Sequence, residues 1–254
     1  MNYFVSKDSI VRKIWGKGDT VLFIFAGASA EFALNKAVDW LYFTGRLPSD
    51  PLGRLFSTVS YARKIVFSDF DPACIAIDRI TAIHTDIEQD RGARIPDWAY
   101  RDVLFMLIDY SIRAYELLEQ KMSVEEKQET FDVFYRVGDR MQIRGLPETY
   151  EEWLIMRKQH LEENLVRSHF TLDLYKQYRK HLGPLRYLLL KEAQVLVVPE
   201  RVNRLLALGT IRFLQPVLTL YKKSRLLNLH GLLKDLILPS AYKKQIKELD
   251  IEVA

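Results

Sequence analysis

Cysteine is nearly absent from the chain. Cys74 stands alone among 254 residues, which excludes an intramolecular disulfide and any all-cysteine metal site. Glycine and proline are also scarce, at eleven and nine, a shortage that suits long helices better than many short strands. Neither sign of charge dominates: the formal net charge is +4, and acids and bases interleave over most of the chain. That balance gives no ground for a nucleic-acid partner. Long hydrophobic runs are missing too. The longest, Val21 to Ala30, is about half the ~20 residues a membrane span needs, and Glu31, Lys36 and Asp39 follow at once. No transmembrane segment is expected. The amino-terminal MNYFVSKDSIVRKIW lacks the apolar region of a secretory signal, so a soluble cytoplasmic protein is the expectation.

Sharp catalytic motifs are absent as well. Gly16-Lys17-Gly18 lacks the rest of a phosphate-binding fingerprint, and no His-Glu-x-x-His occurs. No glutamate stands three residues before any of the five histidines, which removes the Glu-x-x-His pair of di-iron bundles. His84-Thr85-Asp86 resembles half of a non-haem iron triad. On a helix, however, positions i and i+2 point about 200° apart and do not share a metal.

What is present reads as helix throughout. Hydrophobic residues make up 48% of the chain and charged ones 28%, enough apolar surface for a single large multi-helix domain over residues 1–254. Residues 8–17 form a short helix capped by Asp8 or Ser9. Asp19 or Thr20 caps a long one running to Phe43, apolar nearly all round in its first half and closed by Gly45 and Pro48. Glu31 and Asp39 are its acids, read as a solvated flank or as partners for Arg54. Ser49 or Asp50 opens the next helix, and Asp69 to Pro72 turns into another that ends at Gly92. Residues 97–120 form a strong helix with Val103, Leu104, Leu107 and Ile108 on its apolar face. Ser123 with Glu126, and Thr149 with Glu152, are capping boxes, and Gly145-Leu146-Pro147 is a loop between the helices they open. Residues 171–196 are helical with a break at Gly183-Pro184. Pro199 occupies the first turn of ERVNRLLALGTIRFL, and a short helix follows Pro239. No strand-like alternation of period two is found. The fold class is all-α.

Asp50 to Glu88 is the stretch around which the rest is organised. Arg54, Ser57, Thr58 and Tyr61 share one stripe of their helix at i, i+3, i+4 and i+7. Leu55, Val59, Ala62 and Val66 form the opposite, apolar stripe. In the next helix Cys74, Ile77, Ile80, His84 and Ile87 make an apolar face that carries one imidazole. Two meanings stay open: an ordinary core with a satisfied histidine, or a buried cofactor pocket between helices with His84 as a single axial ligand. A haem needs one protein imidazole, an apolar slot and a few polar groups on its open face. Arg54, Ser57 and Thr58 could supply the last. His160, His169, His181 and His230 lie in polar or basic surroundings and read as surface residues.

At these residues the chain resembles the ER-bound oxygenase mpaB and rubber oxygenase (latex-clearing protein) catalytic-domain family. The matching features are Asp50-Pro51 with Arg54 and Thr58 in DPLGRLFST, the YARKIVFSD that follows, and His84 about thirty residues on. Gly145-Leu146-Pro147 with Tyr150 and Trp153, VPERVNRLL, and Leu238-Pro239 also fit, so the similarity spans roughly residues 10–240. The resemblance implies an all-α oxygenase domain holding haem b, with His84 as the iron ligand and Arg54 and Thr58 as the catalytic pocket residues. Arg54, Ser57 and Thr58 would join His84 in binding the cofactor. The implied substrates are dioxygen and an apolar unsaturated small molecule of isoprenoid type. Two features depart from the family. Ser57 stands where rubber oxygenases carry a lysine, and the helix 97–120 has no histidine. The assisting carboxylate falls on Glu31 or Asp39. Rubber itself is not a substrate that a cytoplasmic protein meets. The alternatives are a haem or lipid-like ligand carrier without turnover, and a cofactor-free helical scaffold. The basic, apolar carboxy-terminal segment could touch a membrane surface or a partner.

Overall fold

A computed structural model of the chain describes residues 2–45, 49–210, 214–216 and 218. Ser9 accepts a hydrogen bond from the Val11 amide and opens α1, Ile10–Trp15. α2, Gly18–Phe32, carries the apolar run VLFIFAGASA and is the central helix, packed against α1 and against α6 and α9 farther along the chain. α3, Val38–Phe43, is a separate short helix. Asp50 accepts from the Gly53 amide and caps α4, Pro51–Phe67. α5, Phe70–Arg91, ends at Gly92, whose φ of 65° is the left-handed conformation that glycine adopts without strain. α6, Asp97–Leu118, lies beside α2, and the complete Ser123–Glu126 capping box opens α7, Val124–Arg140. α8, Tyr150–Glu163, α9, His169–Val197, with a break at Gly183, and α10, Glu200–Leu206, complete the order. Among the described residues there is no named strand, only two isolated bridges, so the fold is all-α as expected.

Side chains from α1, α2 and α4 to α8 share one apolar core. Trp15 and Trp153 are fully buried in it, and the Trp15 indole N–H donates to the Ser111 hydroxyl at 3.2 Å. Burying an aromatic of this size without leaving its N–H unpaired is what lets α1 seat deeply. Among the described residues no helix is long and apolar enough to cross a membrane.

Neither Asp19 nor Thr20 caps α2, which starts at Gly18 after Lys17 with no side-chain cap, and the Glu152 carboxylate accepts from the Glu148 amide rather than closing a box on Thr149. Four further expectations need correction. The long helix expected to reach Phe43 breaks after Phe32. At the break Asn35 turns its side chain to its own chain, Oδ1 accepting from the Ala37 amide at 2.8 Å, and Nδ2 donates to Asp102 at 3.1 Å. The Lys36 amide donates to the Asn164 carbonyl and the Val166 amide to the Leu34 carbonyl. Backbone groups spent on the α8–α9 turn are unavailable to continue the helix. Second, Val103 is not on the apolar face of α6; it is 39% exposed. Third, α10 stops at Leu206 because Ala207 turns left-handed at φ 52°. Fourth, His160 is buried. The short helix placed after Pro239, like Pro48, His230 and Leu238, lies outside the described residues.

Candidate functional site

α4 and α5 are neighbours in sequence and pack against each other. That pairing brings the Arg54–Thr58 stripe beside His84. Val59, Ala62 and Val66 are buried on the opposite side of α4, which leaves Arg54 and Thr58 half-buried and Ser57 exposed. The Thr58 hydroxyl accepts from Arg54 Nη1 at 3.1 Å and donates to the Arg54 carbonyl at 3.2 Å. Thr58 therefore steers the guanidinium, and its hydroxyl proton is already committed to the backbone.

His84 is half-buried on α5. Its Nδ1 lies 2.9 Å from the Ile80 carbonyl oxygen. A carbonyl only accepts, so Nδ1 carries the proton and Nε2 of the neutral ring is left with its lone pair. Burial pushes the imidazole below its ordinary pKa, and the nearby Arg54 charge pushes the same way. The Ile80 bond and the Glu88 carboxylate oppose this less effectively. A neutral imidazole with Nδ1 pinned and Nε2 bare is the form that binds a metal. The donor set thus suits a group needing one imidazole, with a fixed cation beside it. Among the described residues no cluster of three or more His, Cys, Asp or Glu side chains could hold a metal ion by itself.

The two candidate carboxylates have separated. Asp39 is half-exposed and pairs with Arg91 at 2.6 Å, whose guanidinium stacks 4.0 Å from the Trp40 ring centroid. Glu31 is 0% exposed and belongs to a cluster that sequence reasoning missed. Arg157 grips it with both terminal nitrogens, Tyr110 donates to it at 2.8 Å, and His160 Nε2 lies 2.7 Å away. Arg157 also donates to Asp109 through Nε at 3.0 Å and Nη2 at 2.8 Å, and Asp109 takes a further bond from Arg113 at 2.7 Å. His160 Nδ1 meets Asp102 at 2.6 Å, and Asp102 is held by Asn35 and Asn164 as well. Neither Glu31 nor Asp39 is a partner of Arg54.

Both nitrogens of His160 face carboxylates, so the ring is an imidazolium. With that proton, the three carboxylates Glu31, Asp102 and Asp109 balance Arg157, Arg113 and His160. Burial alone would raise the Glu31 pKa. Arg157 and His160 outweigh it and hold the carboxyl well below the usual range. For His160, burial favours the neutral ring, but the Asp102 and Glu31 bonds prevail and raise its pKa. One clue was in the sequence: Trp153, Arg157 and His160 fall at i, i+4 and i+7, on one face of α8, and Trp153 marks that face as buried. The cluster is closed. It clamps α2, α6 and α8, and Glu31, Arg157 and His160 at its centre are buried and fully engaged with one another.

A surface cleft of about 570 Å³ is lined by Tyr3, Phe4, Glu129, Asp132 and Arg136, away from these groups. Neither a curated protein nor a solved structure matches the chain. The family model described as "ER-bound oxygenase mpaB/B'/Rubber oxygenase, catalytic domain" matches residues 12–220, a span that contains Arg54, Thr58, His84 and the whole Glu31 cluster. The chain belongs to this family of oxygenase catalytic domains.

Proposed function

We propose that the chain is a single-domain, haem-dependent oxygenase of an apolar, unsaturated small molecule of isoprenoid type, with His84 as the iron ligand. The observation that carries this is the His84 ring: Nδ1–H is bound to the Ile80 carbonyl, so a lone pair is presented at Nε2. Bound haem b would supply an iron centre at which dioxygen is activated. The rest falls to the protein. His84 would fix the cofactor to α5. Arg54, steered by Thr58, would place a permanent positive charge where an anionic propionate or a developing negative charge needs one. Ser57, exposed and uncharged, cannot ligate from the open side as a lysine could. Of the two carboxylates, Asp39 keeps the proton-handling role, since it is half-exposed and held by one cation. Glu31 is locked as an anion by Arg157 and His160.

The test is expression with added haem precursor, followed by the visible spectrum and haem content per chain. Oxygen uptake is then measured with squalene as substrate. Stoichiometric haem and squalene-dependent uptake are expected, with both lost in His84→Ala while the helical circular dichroism remains. A colourless protein that takes up no added haem would leave the cofactor-free scaffold as the account.

A further inference from the structure

A ligating imidazole must be held in direction and in plane. The Ile80 bond supplies direction only, because histidine χ2 is a broad torsion and one hydrogen bond lets the ring swivel. A second contact is present. The Tyr100 ring lies 5.2 Å from the His84 ring, centroid to centroid, with the planes at 82°, the edge-to-face geometry that aromatic pairs prefer. Tyr100 is itself tied down. Its hydroxyl donates to Glu88 Oε1 at 3.1 Å, and the same oxygen accepts from the Ile95 amide at 2.9 Å. Burial and the Glu88 carboxylate push the Tyr100 phenol well above its ordinary pKa, so it stays a donor. Glu88 sits one turn after His84 on α5, and the left-handed Gly92 folds the chain back so that Ile95 and Tyr100 meet it.

We infer that Tyr100, anchored by Glu88 and the Ile95 amide, is a positioning residue that sets the plane of the His84 imidazole. The inference rests on His84 being the haem ligand. The turn after α5 would thereby help hold the imidazole that binds the cofactor.

The experiment compares haem-loaded wild type, Tyr100→Phe and Tyr100→Leu by two readouts. One is the g-anisotropy of the ferric haem, which follows the imidazole plane. The other is the rate of haem transfer to apomyoglobin. Supporting partners behind a metal ligand are worth about 10–100-fold in affinity. Tyr100→Leu should therefore release haem about tenfold faster or more, with broadened or shifted g-values. Tyr100→Phe keeps the ring and should recover most of both. If wild type holds haem while Tyr100→Leu matches it in rate and g-values, or holds haem more tightly, the inference is overturned alone. If wild type takes up no haem, the site assignment falls and takes this inference with it.

Discussion

His160 and His84 are the same side chain in opposite circumstances. His160 is 3% exposed, with Nε2 on Glu31 and Nδ1 on Asp102. Both nitrogens carry protons, and no lone pair is left. His84 is half-buried, with Nδ1 on a backbone carbonyl, so its ring stays neutral with Nε2 available. The first can only hold helices together; the second can bind a ligand. Partner type separates the two jobs better than burial does. Two carboxylates make an imidazolium, and one carbonyl leaves a neutral ring with a lone pair on Nε2.

The sharpest way to break this contrast is to open the closed cluster. Arg157→Met strands Glu31 and Asp109 in the interior, and removing one member of a buried ionic group costs about 3–5 kcal/mol. Urea unfolding should show a loss of that size, and a loss under ~1 kcal/mol would mean that the cluster does not clamp the helices. His160→Gln comes next, at about 2–3 kcal/mol for lost bonds to charged groups, and its pH profile sharpens the comparison. The Glu31 pKa is depressed below 4.5, so its contribution is present above 4.5 and fades as pH falls toward the folded value. The His160 pKa is raised above 6.5, so its contribution is full below 6.5 and fades as pH rises through the folded value. Wild type should be most stable between these limits, and His160→Gln should lose the alkaline fall. Gly27→Ala follows. A Cβ there would collide with the Tyr110 ring, pushing the hydroxyl off Glu31 at about 1–3 kcal/mol. The smallest effect belongs to the other region: Thr58→Val should change stability by about 1 kcal/mol or less, while haem affinity falls as Arg54 loses its guide.

Elements governed by local chemistry were legible in the sequence. The Ser123 capping box, Thr149, Gly92 and the Gly183 break act through bonds within a few residues, and they stand where the residues imply. The break at Asn35 did not declare itself. EFALNKAVDW contains neither glycine nor proline, and the turn is imposed by Asp102 of α6 and by Asn164 and Val166 of the α8–α9 turn, all distant in sequence. Ala207 was hidden for a related reason: a positive φ at a non-glycine residue follows from its surroundings. The buried cluster was missed because charge in a sequence suggests solvent. Only pairing across α2, α6 and α8 makes burial of Glu31, Arg157 and His160 affordable, and no local window contains all three. The Arg54–Thr58 and His84 elements could be read because each face is set by its own helix period.

The most direct measurement is haem content and the visible spectrum of wild type, His84→Ala and His160→Gln, prepared side by side at the pH of greatest stability. We expect stoichiometric haem in wild type, none in His84→Ala despite intact helicity, and wild-type haem in His160→Gln despite its lower unfolding midpoint. Stoichiometric haem in His84→Ala, or its specific loss from folded His160→Gln, would contradict the assignment of the two histidines.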